Sequence, residues 1–240
     1  SRFHVSVGLS GRNPLYFIMT KARKTFPLLL LLVFAASLCA EPLPPLAIAR
    51  LKYDGGGDWY SNPGSLENLM SFIEKHTGLD MADKQAVVEP GSPELFAYSY
   101  LYMNGHGNVY FSEEDVRRLR YFLENGGFLH ADDNYGMDPS FRREMKKVFP
   151  DNEWVELPFD HPIYHQVFDF PDGLPKIHEH DNKPPRGLGL FHRGQLVVFY
   201  TYECDLGDGW EDAEVHRDPE PVRTAALKMG TNIFIYHLKK

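Results

Sequence analysis

Four short segments of this chain carry side chains able to move protons or hold a cation: Asp54 and Asp58 with Trp59, His106 between two glycines, Asp132 with Asp133, and Glu203 with Asp205. Carboxylates of this kind work as general bases, and an imidazole works as their acid partner or as an electrophile. Asp132, Asp133 or Glu203 is therefore a candidate base for a hydrolytic reaction, with His106 as acid. Gly, Asp and Asn are also the residues of ordinary tight turns. One such cluster alone says little, whereas four at one sheet edge predict a ligand pocket. Asp54, Asp58 and Asp205 are its candidate ligand-binding groups. Trp59, Tyr60 and Trp210 offer flat walls suited to a sugar or an aromatic group, the alternative being ordinary packing of loops onto the domain.

Metal binding is a second chemistry open to the chain. If His178-Glu179-His180-Asp181 is extended, its alternation puts both imidazoles on one side and both carboxylates on the other. A carboxylate from Asp132 or Asp133 would complete a mixed site for a divalent metal, zinc or iron, with an open position. The competing reading of His178 and His180 is a hydrogen-bonded surface loop. His161 and His165, with Pro162 between them, read as a structural corner. Gly55-Gly56-Gly57 is a weak phosphate signal, because Asp54 and Asp58 bracket it and the next helix begins several residues later. The glycines instead allow backbone to approach a ligand closely. Cys204 follows a strand, yet Glu203 and Asp205 flank it and raise a thiol's pKa, so a cysteine nucleophile is not expected.

These groups sit in a chain that reads as exported. Met19 opens a basic stretch containing Lys21, Arg23 and Lys24, residues 26–36 are apolar, and Ala40 offers a small residue for cleavage. Residues 1–18 read as translated upstream sequence, 19–40 as a signal peptide, and 41–240 as one domain delivered to the periplasm or cell envelope. The apolar run is short for a membrane span, an uncleaved anchor being the alternative. Bulky Leu38 stands where a lipoprotein signal at Cys39 needs a small residue. Without residues 1–40 the chain has 20 basic and 33 acidic residues, a formal charge of −13. Such a field repels phosphate backbones and anionic lipid, which argues against nucleic-acid and membrane-surface binding. A small molecule, a glycan or an envelope protein remains as the expected partner, with no transmembrane span in the mature chain. Cys204 is the one cysteine left after cleavage, so no internal disulfide is expected and stability must come from the core.

The elements that position these groups alternate between strand and helix. Residues 46–53, 85–88, 98–103 and 128–131 are strand candidates, all but 85–88 with chemically capable loops after them. Ser65 is expected to cap a helix reaching His76, Ser112 caps a second that Gly126-Gly127 stops, and Asp138-Pro139 starts a third. Residues 154–157 form a short strand, 158–185 read as irregular, and 188–192 with 196–202 pair through Arg193-Gly194 as a hairpin. Asp218-Pro219 begins the closing helix. Apolar runs alternating with helices predict a mainly parallel sheet covered on both faces, an α/β fold in three layers with an irregular insertion and a C-terminal hairpin and helix.

The run from Ala49 through Asp54-Gly55-Gly56-Gly57-Asp58-Trp59-Tyr60 resembles the opening of the family known as domain of unknown function 4159. Asn104-Gly105-His106-Gly107, Gly126-Gly127-Phe128-Leu129-His130-Ala131-Asp132-Asp133, Lys176-Ile177-His178-Glu179-His180-Asp181 and Asp205-Leu206-Gly207-Asp208-Gly209-Trp210-Glu211-Asp212 resemble its later motifs. The resemblance covers about residues 46–238 and implies no particular reaction. More distantly, residues 122–133 are similar in layout to trehalose-utilisation-like proteins of the class I glutamine amidotransferase-like superfamily, which implies a flavodoxin-like sheet. Amidotransferase chemistry is not implied, because the chain lacks a Gly-x-Cys-x-Gly elbow. Three function classes follow: a hydrolase-like enzyme with or without metal, a non-enzymatic binding module of the envelope, and a structural subunit of an envelope assembly. The sequence leaves the first two level.

Overall fold

Short apolar runs punctuated by glycine and proline make short strands, and among the described residues seven of them build the sheet. The computed structural model describes residues 43–179 and 182–240, so the expected signal segment and the candidate ligand His180 lie outside the described residues. The strands are β1 (Ala49–Leu51), β2 (Ala86–Val88), β3 (Tyr100–Gly105), β4 (Phe128–Asp133), β5 (Val155–Glu156), β6 (Arg186–His192) and β7 (Gln195–Tyr202). Their order is β2-β1-β3-β4-β7-β6-β5. β2, β1, β3, β4 and β7 run parallel, and β6 and β5 are antiparallel additions at one edge. The parallel part has the doubly wound, flavodoxin-like order, in which ligands bind beyond the carboxyl ends of the strands.

Among the described residues there are six helices: α1 (Ser65–Thr77), α2 (Glu113–Glu124), α3 (Asp138–Val148), α4 (Leu206–Trp210), α5 (Ala213–His216) and α6 (Glu220–Lys239). Pleating sends alternate β3 side chains to opposite faces. Tyr100 and Tyr102 join Leu66, Leu69 and Ile73 of α1, Trp210 of α4 and Met229 and Ile233 of α6. Leu101 and Met103 join Leu119 and Leu123 of α2 and Phe141 and Met145 of α3. This is the expected three-layer arrangement. No helix among the described residues is long and apolar enough to cross a membrane.

Several local expectations are met and others need revision. Ser112 and Asp115 form a reciprocal capping box at α2. Arg193 and Gly194 are both left-handed, at φ 49° and 82°, as the expected two-residue hairpin turn requires. Ser65, expected as a cap, is instead the first residue of α1, preceded by Gly64. Its hydroxyl donates to Asn62 O (2.8 Å) and accepts from Arg50 (3.1 Å). The insertion at 158–185 contains a short 3₁₀ turn, Pro162–Tyr164, and is tied to α6 by Asn232. The Asn232 amide accepts from Val167 N and Phe168 N and donates to Tyr164 O and Phe168 O. The corner expected at His161 and His165 is present, with His161 Nδ1 accepting from Ile163 N and His165 Nδ1 2.5 Å from Asp169.

Candidate functional site

The glycine-rich loop after β1 lies against the loop after β3. Gly57 N donates to Asn108 O (3.0 Å), Asp58 N to His106 O (3.2 Å) and Tyr110 N to Asp54 O (2.8 Å). A Cβ on Gly57 would stand 2.8 Å from His106 O and 2.9 Å from Asn108 O, closer than real Cβ atoms come. The glycines therefore serve close loop contact rather than phosphate binding. This apposition orients a carboxylate on an imidazole. Asp58 Oδ1 accepts the His106 backbone N–H and Asp58 Oδ2 lies 3.0 Å from His106 Nδ1. The His106 side chain is 54% exposed, with Nε2 on the side away from Asp58. Gly57→Ala is expected to destabilise the fold by about 1–3 kcal/mol through overpacking and to break the Asp58–His106 contact. Chemical denaturation, with histidine NMR shifts of wild type and variant, reads both effects.

Beneath this loop Arg50 organises the edge. Its guanidinium donates to Ser61 O (2.9 Å), Asn62 O (2.9 Å), Asn104 Oδ1 (2.6 Å) and Gln85 Oε1 (2.7 Å), which holds residues 59–62 over β1 and β3. Trp59 packs partly against the core, with Tyr60 edge-on to it at 5.6 Å. Asp54 is exposed and lines a separate small hollow of about 80 Å³ with Lys52, Glu89, Pro90 and Asp115.

At the ends of β4 and β7 the carboxylates are buried. Asp132 Oδ1 accepts from Thr201 Oγ1 (2.5 Å), and Oδ2 accepts from Gly207 N (2.7 Å) and Tyr102 OH (3.3 Å). Burial raises its carboxyl to about 6 in spite of these donors. Both its oxygens are occupied in holding the β7–α4 turn on β4, a positioning role. Asp133 accepts from Met137 N (3.3 Å), and burial, then Asp138, raise it to about 7. Glu203 and Asp205 adopt left-handed backbone, at φ 62° and 55°, on either side of buried Cys204. Two such non-glycine residues in one turn are costly. Lys176 Nζ lies 3.5 Å from Glu203. Burial, then Asp132 and Asp208, raise Asp205 to about 9. Burial also pushes the Cys204 thiol well up, so it stays protonated as expected.

A third group was not anticipated as a set. His178 Nδ1 lies 2.8 Å from Asp208 Oδ2, and His216 Nδ1 lies 3.7 Å from the same oxygen. One ligand atom from each of the three residues falls within 4.8 Å of the others, which makes this the group able to hold a metal ion among the described residues. His178 comes from the insertion, whose Ile177 N donates to Cys204 O (2.9 Å), Asp208 from α4, and His216 from the end of α5. Hydrogen bonding to Asp208, then to Asp218, raises His178 to about 9. Asn62 and Asn134 join this group to the rest of the edge. Both amides donate to Asp208 Oδ1, and Asn62 Oδ1 lies 2.8 Å from His216 Nε2.

Residues 47–238, which carry all of these groups, match the model of a family described as a domain of unknown function, DUF4159. The chain belongs to the DUF4159 family. No curated protein matches it. The sequence motifs of this DUF4159 chain thus meet at one sheet edge, but not as one ring. Asp58 and His106 pair over β1 and β3, while Asp132 and Asp133 lie buried at the end of β4 and Glu203 and Asp205 lie buried within the β7–α4 turn. Among the described residues no hydrogen bond joins the two sets directly. Trp210, expected as a pocket wall, is fully buried and donates Nε1–H to Ala226 O (2.8 Å). The carboxylate beside His178 is Asp208 rather than Asp132 or Asp133, because those two are held down on β4. Asp208 stood in the quoted Asp205–Asp212 motif, whereas His216 had no local sequence signal.

Proposed function

We propose that this protein is an exported cell-envelope enzyme of hydrolytic type, with water as nucleophile and a small molecule or glycan as substrate. The observation that carries the reading is the Asp58–His106 pair. A carboxylate that takes both the backbone N–H and Nδ1 of one histidine fixes its ring and tautomer and turns Nε2 outward. An imidazole so held is suited to take a proton from water or to give one to a leaving group. The acidic surface expected of the mature chain favours a neutral or cationic substrate. Kinship with the class I glutamine amidotransferase-like superfamily belongs to the same reading, supported by the strand order and limited to architecture by the buried, protonated Cys204.

Chromogenic esters, glycosides and phosphoesters offered to wild type and His106→Ala test the proposal. Turnover that falls about 100- to 10,000-fold in the variant is expected for loss of an acid–base group. Turnover equal in both would remove His106 from the chemistry. Ligand binding without turnover in either protein would favour the envelope binding module, for which partly packed Trp59 and exposed Tyr60 supply aromatic surface.

A further inference from the structure

We infer that His178 Nδ1, His216 Nδ1 and Asp208 Oδ2 bind one divalent metal ion of the zinc class. The first argument is orientation. The outward nitrogen of each ring is occupied: His178 Nε2 lies 2.9 Å from Asp218 Oδ1 and His216 Nε2 lies 2.8 Å from Asn62 Oδ1. Placing the ring protons there leaves the two Nδ1 lone pairs facing Asp208. Ligating histidines are held in this way by outer carboxylates and amides, which fix both tautomer and ring plane. Asp208 is treated likewise, since Asn62 and Asn134 both donate to Oδ1 and leave Oδ2 toward the rings. Asn62 alone thus orients two of the three ligands.

Spacing and charge agree with orientation. Bonds of about 2.0–2.2 Å to a tetrahedral ion separate its ligand atoms by roughly 3.3–3.6 Å. The 3.7 Å between His216 Nδ1 and Asp208 Oδ2 must close by about a tenth of an ångström, and the 2.8 Å to His178 Nδ1 must open by about half an ångström. Among the described residues, the buried acceptors Asn134 Oδ1 and Asp218 Oδ2, which belong to side chains touching the ligands, have no hydrogen-bond partner. Asn134 is 2% exposed. Buried oxygens in excess of donors fit a cation better than a neutral cluster. The competing arrangement is a latch in which protonated His178 bridges Asp208 and Asp218, with His216 Nδ1 only an ion-pair partner of Asp208 at 3.7 Å, beyond hydrogen-bond reach. Two imidazoles and one carboxylate leave a coordination position open, the pattern of metal sites that bind water or substrate. The inference goes beyond the hydrolytic reading and does not depend on it.

The test uses the full chain without affinity histidines, stripped with a chelator and titrated with Zn²⁺ by calorimetry and with Co²⁺ by visible absorption. One ion per chain at micromolar affinity or tighter is expected. His216→Ala and Asp208→Asn should each weaken binding at least 100-fold, and Asp218→Asn about 10- to 100-fold. His106→Ala should bind Zn²⁺ as wild type does while losing turnover, which separates failure of this site from failure of the hydrolytic reading. Zn²⁺ uptake no greater in wild type than in a His178→Ala/His216→Ala double variant of native circular dichroism would overturn the inference. If the variants do not fold, the wild-type Co²⁺ spectrum decides. Intense bands of a low-coordinate, nitrogen-bound ion support the site, and only the weak bands of hydrated Co²⁺ overturn it.

Discussion

Arg50→Met is expected to lower the unfolding free energy by about 3–5 kcal/mol, the range for leaving buried partners of a charged group unpaired. Arg50 is 2% exposed, and burial lowers its pKa. Its guanidinium spans three sequence-distant pieces of chain: the 59–65 loop through Ser61 O, Asn62 O and Ser65 Oγ, β3 through Asn104 Oδ1, and the approach to β2 through Gln85 Oε1. Methionine fills much of the same volume but donates to none of these acceptors, of which those of Asn62, Ser65 and Asn104 are buried. Arg50→Lys is expected to lose nearly as much, because an ammonium has three donors on a compact centre and lacks the planar fork that reaches both rims. The effect extends beyond stability, since residues 58–62 carry Asp58 toward His106 and Asn62 toward Asp208. Urea unfolding monitored by circular dichroism measures the free energy, and Zn²⁺ titration of the folded variant measures the second consequence. A loss below about 1 kcal/mol in the methionine variant would show that the loop is held by its own packing.

The parallel sheet was legible because strands buried on both faces read as unbroken apolar runs, as at Leu101–Met103. The helix starts at Ser112 and Asp138 were legible because a capping serine and a first-turn proline are local signals. Asp132 and Asp133 were read as loop residues after β4, yet both lie inside it. Their strand position comes from pairing with Asn104 and Gly105 of β3 and Thr201 of β7, and their side chains are held by Thr201, Gly207 and Met137, partners that leave no mark near the aspartates. Trp210 misled for a related reason. A tryptophan among Gly and Asp residues looks like a loop side chain, but Gly209 lies against Ala226 and Gly230 against the indole, so the segment becomes α4 and the ring enters the core. The His178–Asp208–His216 group was legible only in part. His178 stood out by spacing, while Asp208 and His216 reach it through Asn62, a partner 146 residues from Asp208 and 154 from His216. Nothing in a single sequence encodes a meeting of that range.

Asp133→Asn is expected to stabilise the protein in a pH-dependent way. Asp133 is 3% exposed, and burial, then Asp138, hold its carboxyl up at about 7, against about 3.9 in an unfolded chain. A raised carboxyl contributes stability that is fully present below about 3.9 and is lost as pH rises through 7, at about 1.4 kcal/mol per pH unit. The amide has no proton to lose, and its oxygen still accepts from Met137 N. The variant should therefore match wild type near pH 4 and exceed it by up to about 4 kcal/mol at pH 8. Denaturant unfolding at pH 4.5, 6 and 8 measures the difference, and a difference that does not change with pH would show that Asp133 is not protonated in the fold. A side chain whose isosteric replacement strengthens the molecule is not kept for strength. Functional groups are where such costs accumulate, and Asp133 stands one strand from His106, so its part in the reaction is tested on the same turnover. If the stabilised variant also loses the turnover that His106→Ala loses, Asp133 joins the reaction. If it retains that turnover in full, the buried acid serves only to position α3 through Met137.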